Sequence, residues 1–181
     1  VTCINNYQKE QTQMSNLTKE EIIAAKTDLG ALRKVVTEGE MIIKVRTPIC
    51  FPCNMATRWT NERGLEDGVD YLEIDVTENP GSDEYLKNVV AAKTAPVPAG
   101  EKEQVEHHKF VDAVIKGEKT TDVSGVKIQT PWIFNLGKLS FDTKDDEDTQ
   151  LYGYQPSNYE SAMFKGLLAA KQGTGKVLAA A

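Results

Sequence analysis

The stretch "TPICFPCNM", residues 47–55, places two cysteines two residues apart. The apolar "MIIKVR" (41–46) precedes it and "ATRWTNERG" (56–64) follows it. A short, branched apolar run of this kind predicts a buried strand, and the following segment predicts a helix from about Pro52 to Glu62 that stops at Gly64. Cys50 then falls where the strand ends and the helix begins. Backbone N–H groups without intrahelical partners point at that position, and the helix dipole adds positive potential. Both favour thiolate over thiol. Cys53 lies one helical turn further on, within reach of Cys50 for thiol–disulfide exchange. Pro52 suits the first helical turn, where a missing N–H costs little.

A metal centre fits these residues less well. Zinc takes four ligands, and the two histidines, His107 and His108, are adjacent, so they point in different directions on a helix. We therefore expect no bound metal and no tightly bound cofactor. Cys3, the third cysteine, is expected to be a bystander thiol. Three cysteines in 181 residues are too few for a disulfide scaffold, which suits a reducing compartment, the cytoplasm. The net charge of -6 disfavours a general nucleic-acid binder, and no apolar run approaches the ~20 residues of a membrane span.

Outward from the cysteines, residues 1–17 read as a polar arm and 18–181 as one domain. "TKEE" (18–21) is a capping box, and Ile22, Ala25, Leu29, Leu32 and Val36 form one helical stripe ending near Gly39. "VDYLEIDV" (69–76) alternates as a strand, "ENPG" (78–81) is a turn, and "SDEYLKNVVAAK" (82–93) is a helix with Ser82 as N-cap. Residues 94–125 read as an insertion of two loops around a helix in "EKEQVEHHKFVDAVIKG", with Val105, Phe110, Val111, Val114 and Ile115 inward. A strand is predicted at Trp132–Asn135, with Trp132 and Phe134 facing the core. A short turn through the acidic "DTKDDED" joins it to a partner strand in "QLYGY". "SNYESAMFKGLLAAK" (157–171) closes the chain as a helix, with Ser157 and Glu160 as a second capping box. This order predicts an α/β fold: a four-stranded mixed sheet, first pair parallel and last pair antiparallel, with helices on both faces.

Thr130-Pro131 stands directly before the "WIF" strand, where a proline lacks the N–H an inner strand uses. A cis bond there turns the Thr130 backbone outward, beside the cysteines.

Taken together, "MIIKV", "TPICFPC", "TPWIF" and "GYQPSNYESAM" resemble the thioredoxin superfamily, and within it the glutaredoxins and glutaredoxin-like redoxins. The resemblance covers about residues 18–93 and 126–172. It implies a thioredoxin-like fold and a thiol–disulfide oxidoreductase, with Cys50 as nucleophile and Cys53 as resolving thiol. Phe51, Pro52, Thr130, Pro131, Tyr154 and Gln155 would form the substrate surface. The implied partner is a disulfide-bearing protein, ribonucleotide reductase among the candidates because "GYQPSN" looks like the end of redoxins that serve it. The chain departs from glutaredoxins in having Thr47 where a lysine is usual, Phe51-Pro52 between the cysteines, and only Gly153 of the glutathione-binding glycines and aspartate. Glutathione or a flavoprotein reductase is therefore the expected electron donor. The insertion is expected to emerge near the active face. Two other readings are a thioredoxin-fold binding or structural module of a larger assembly, and an iron–sulfur cluster bridged between two chains by Cys50 and glutathione.

Overall fold

The structure is a computed structural model that describes residues 16–127 and 129–180, with side chains to residue 173. The predicted N-terminal arm, Cys3 included, lies outside the described residues except at its end.

The capping box at Thr18 forms: the Thr18 hydroxyl accepts from Glu21 N, and the Glu21 carboxylate accepts from Thr18 N. The helix it starts is short, however. Helix α1 spans Lys19–Ala24 and a separate α2 spans Leu29–Glu38, so the single helix expected from the stripe is two. The break has a local cause. The Asp28 side chain accepts from Ala31 N at 2.7 Å and caps a new helix instead of continuing the old one. Ile22, Ala25, Leu32 and Val36 are buried nonetheless, because both helices pack on one core. Val35, outside the predicted stripe, is buried with them.

Strand β1 (Ile42–Arg46) leads into α3 (Phe51–Glu62), then β2 (Tyr71–Asp75) and α4 (Ser82–Lys93). The N-cap of α4 is Gly81 rather than Ser82. Gly81 takes φ 85°, which glycine adopts without a Cβ clash, so the turn can close there, and the buried Ser82 hydroxyl has no hydrogen-bond partner among the described residues. Helix α5 (Glu101–Ile115) follows, then β3 (Trp132–Asn135) and β4 (Gln150–Tyr152). The sheet order is β2-β1-β3-β4, with β1 and β2 parallel and the other pairs antiparallel. The chain is thus α/β with a four-stranded mixed sheet flanked by helices.

Alternation along the strands separates two cores. Ile43, Val45, Leu72, Ile74, Trp132 and Phe134 meet α1, α2 and α4. Ile42, Tyr71, Ile133 and Leu151 meet Ala56 and Trp59 of α3 and the C-terminal segment. The helix of the 94–125 segment packs on α4 and α2, so it lies on the face opposite the cysteine helix. The Tyr85 hydroxyl donates to the Ile115 carbonyl and Asn88 accepts from Thr121 N, which tie this segment down. Of the five residues expected inward only Val114 is fully buried; Val105 is exposed, because the first half of α5 has little to pack against.

The β3–β4 connection is longer than a hairpin tip. Residues 136–149 fold into successive turns that bury Leu136 and Leu139 and pair Lys138 with Asp148 at 2.6 Å. After β4, Gly153 (φ 76°) turns the chain into a short α6 (Pro156–Asn158), a π-helical turn (Tyr159–Met163) and α7 (Lys165–Ala180). The predicted second capping box is absent. Pro156 starts the helix one residue earlier, so Ser157 lies inside it and cannot cap it. Among the described residues no helix is long and apolar enough to cross a membrane.

Candidate active site

Cys50 is the N-cap of α3. Its backbone is extended (φ -145°, ψ 98°), its carbonyl accepts from Asn54 N at 3.1 Å, and its sulfur accepts from Cys53 N at 3.1 Å. The sulfur therefore sits on one of the orphan N–H groups of the helix start, in the field of a twelve-residue helix. Its Sγ is bonded to Cys53 Sγ as a disulfide. Cys50 is 8% exposed and Cys53 0%. Cys50 is thus the more accessible of the two, though itself largely covered in the bonded form.

The Thr130–Pro131 peptide is cis. The Thr130 hydroxyl lies 3.6 Å from Cys50 Sγ and can donate to it, as a disulfide sulfur carries no proton. The Pro131 carbonyl accepts from Gly153 N at 2.8 Å, so the start of the C-terminal segment is held beside Thr130-Pro131. Tyr154 is half-buried, its ring packed edge-on to Tyr159 at 5.8 Å. Gln155 has its side chain engaged by its own chain: its amide donates to the Tyr152 carbonyl at 2.5 Å and its oxygen accepts from Asn158 at 2.8 Å. It lines a depression along β4 with Lys144 and Tyr152. Trp132 and Phe134 are fully buried, on the face away from α3.

Two features of the site were not singled out in the sequence. The first is Ile49, 99% exposed, which with Phe51 at 75% brackets Cys50 by apolar side chains facing solvent. The signal was its position next to the first cysteine. The second is Lys44, 0% exposed in the middle of β1. Its ammonium reaches three acceptors: Glu73 Oε2 at 2.6 Å, Thr57 Oγ1 at 2.6 Å and the Cys53 carbonyl at 3.4 Å. Glu73 also faces Arg46 at 3.4 Å, and Arg46 donates to Asn54 Oδ1 at 2.7 Å. Burial alone would raise the Glu73 pKa, but the charges and hydrogen bonds of Lys44, with Arg46 and Thr57, outweigh it and hold the carboxyl below its ordinary value. Burial pulls the Lys44 pKa down, against the attraction of Glu73. A lysine between two alternating apolar residues of a central strand was the available signal, since such a residue must find a partner.

His107 and His108 lie on α5, behind α4, on the sheet face opposite α3. Among the described residues no group of three or more His, Cys, Asp or Glu side chains is placed to hold a metal ion. Comparisons of the chain with protein-family models, with curated proteins and with solved structures return no match, so the site is read from its own geometry.

Proposed function

We propose that this protein is a thiol–disulfide oxidoreductase on a thioredoxin-like fold, with a disulfide-bearing protein as substrate. The observation that carries the reading is the Cys50 sulfur at the start of α3, on the Cys53 N–H, bonded to the second sulfur and beside the Thr130 hydroxyl. In the reduced protein, the Cys50 thiolate attacks one sulfur of the substrate disulfide. A Cys50–substrate bond forms, the substrate S–S bond breaks, and the departing sulfur takes a proton from water. Cys53 then attacks Cys50 Sγ, re-forming the intramolecular disulfide and releasing the second substrate sulfur. Two electrons from glutathione or from a reductase dithiol restore the pair. Phe51 and Pro52 from α3, with Thr130, Pro131 and Tyr154, shape the surface that receives the substrate backbone. Gln155 supports that surface by holding the turn after β4. A redoxin partner such as ribonucleotide reductase fits this chemistry.

The test is turnover by cysteine variants. Cys50→Ser should abolish reduction of an insulin-type disulfide and of a small mixed disulfide. Cys53→Ser should stop the cycle at a covalent protein–substrate adduct, seen by mass. Normal turnover by Cys50→Ser overturns the assignment. A pair that stays oxidised in thiol buffers poised at cytosolic potentials favours the structural-module reading instead.

A further inference from the structure

Gly153 is held from both sides. Its N–H donates to the Pro131 carbonyl at 2.8 Å, and its carbonyl accepts from the Tyr159 hydroxyl at 2.7 Å in a buried contact. Its φ of 76° lies in the left-handed region, which glycine adopts without a Cβ clash. Pro131 adjoins Thr130, whose hydroxyl lies 3.6 Å from Cys50 Sγ. The contacts therefore run in series: from Tyr159 to Gly153, from Gly153 to Pro131, and from Thr130 to the sulfur. Tyr159, Gly153, Pro131 and Thr130 are all uncharged, so what they transmit is position.

Tyr159 is itself fixed. It is fully buried, and three rings pack around its own: Trp59 edge-on at 5.4 Å, Tyr154 at 5.8 Å and Phe164 at 5.9 Å. Trp59 belongs to α3, the helix that starts at Cys50. One side chain thus meets the cysteine helix through its ring and the turn after β4 through its hydroxyl. A phenylalanine would fill nearly the same space, so packing does not call for the hydroxyl; its partner is the Gly153 carbonyl. Burial pushes the phenol pKa up, so the group keeps its donor proton throughout the range in which thiols titrate. Tyr159 also opens the π-helical turn Tyr159–Met163, an uncommon element that functional sites use often.

We infer that Tyr159 is a positioning residue for the redox site: through Gly153 and Pro131, its hydroxyl holds the Thr130 hydroxyl at Cys50 Sγ. This inference rests on the redox reading above. In the reduced protein the Thr130 hydroxyl donates to the Cys50 thiolate, and a hydrogen bond to the charged form favours that form. Losing such a bond outright moves the equilibrium by about one pH unit or more. Freeing the Gly153 carbonyl loosens the bond without deleting it, so the effect of Tyr159 is smaller and exists only while the Thr130 hydroxyl is there to be placed.

The experiment is the pH profile of Cys50 alkylation by iodoacetamide in a Cys3→Ser, Cys53→Ser background, where Cys50 is the one remaining thiol. Tyr159→Phe should raise the midpoint by about half a unit, about a threefold loss of thiolate relative to thiol. Thr130→Val should raise it by about one unit. In the Thr130→Val protein, adding Tyr159→Phe should leave the midpoint where it is, because the group being positioned is gone. A tyrosine with only a structural role would lower the unfolding temperature and leave the midpoint unmoved. A Tyr159→Phe midpoint within about 0.2 units of its parent overturns the inference. So does a shift of the same size with and without the Thr130 hydroxyl. If Tyr159→Phe does not fold, Gly153→Ala decides: it strains the same link at a positive φ and should raise the midpoint in the same direction, and an unmoved midpoint overturns the inference. The two readings fail separately. Two-cysteine turnover with an unmoved midpoint sinks the Tyr159 inference alone; a Thr130-dependent shift without turnover by the dithiol protein sinks the redox reading alone.

Discussion

Truncating the two apolar side chains that bracket Cys50 should separate protein substrates from small ones. Ile49 is 99% exposed and Phe51 75%, so neither contributes much to the core, and replacing either with alanine should leave the fold intact. Full burial of such a side chain is worth about 1.5–3 kcal/mol. A docked protein covering about half of each would gain about 1 kcal/mol per side chain. With about 1.4 kcal/mol per tenfold, that is about fivefold in kcat/KM for each, and about 25-fold for the double variant if the two add. A small mixed disulfide reaches the sulfur without covering either residue and should lose little. The assay is kcat/KM of Ile49→Ala, Phe51→Ala and the double variant on an insulin-type disulfide and on a small mixed disulfide, with thermal unfolding run alongside. Equal losses on both substrates, or no loss on the protein disulfide, would refute the idea that these side chains hold the substrate.

Asp28→Ala should destabilise the fold by about 1 kcal/mol by uncapping α2, read as a lower urea midpoint at unchanged slope. Glu73 predicts an acid dependence. Its folded pKa lies below its ordinary 4.5, so its ion pair contributes stability that is present above that value and lost as pH falls through the depressed folded value. Glu73→Gln leaves Lys44 buried without its carboxylate and should cost about 3–5 kcal/mol near neutral pH. The gap between the two proteins should narrow as pH falls below 4.5, and a constant gap in thermal unfolding would contradict the ion-pair account.

The elements around the dithiol were legible because each rests on a local signal. The strands at 42–46 and 132–135 are short apolar runs, and the helix between the first two strands opens on Cys50 and Pro52. What misled the reading was competition between equivalent local signals. The apolar stripe from Ile22 to Val36 passes through the break at Asp28 unbroken, since both helices serve one core; only the aspartate marks the new start. Ser82 and Ser157 look like caps, but Gly81 and Pro156 stand one residue earlier and set the boundary through backbone geometry. The segment before Thr130 joins the sequence close to the site, yet its helix docks behind α4, because docking depends on pairings such as Tyr85 with Ile115, 30 residues apart.

The charged layer under the cysteines follows from strand alternation. In β1, Ile43 and Val45 face α2 and α4, which leaves Ile42, Lys44 and Arg46 on the α3 side. In β2 the same parity puts Tyr71, Glu73 and Asp75 there, in register with them. The α3 face is therefore apolar at one end, where Ile42 and Tyr71 meet Ala56 and Trp59, and charged at the other, beneath the first turn that carries the sulfurs. An apolar layer there would have packed as well and avoided the desolvation of three ions. Packing alone does not explain ions at that end of the sheet; a redox role for the sulfurs above them, as proposed, would.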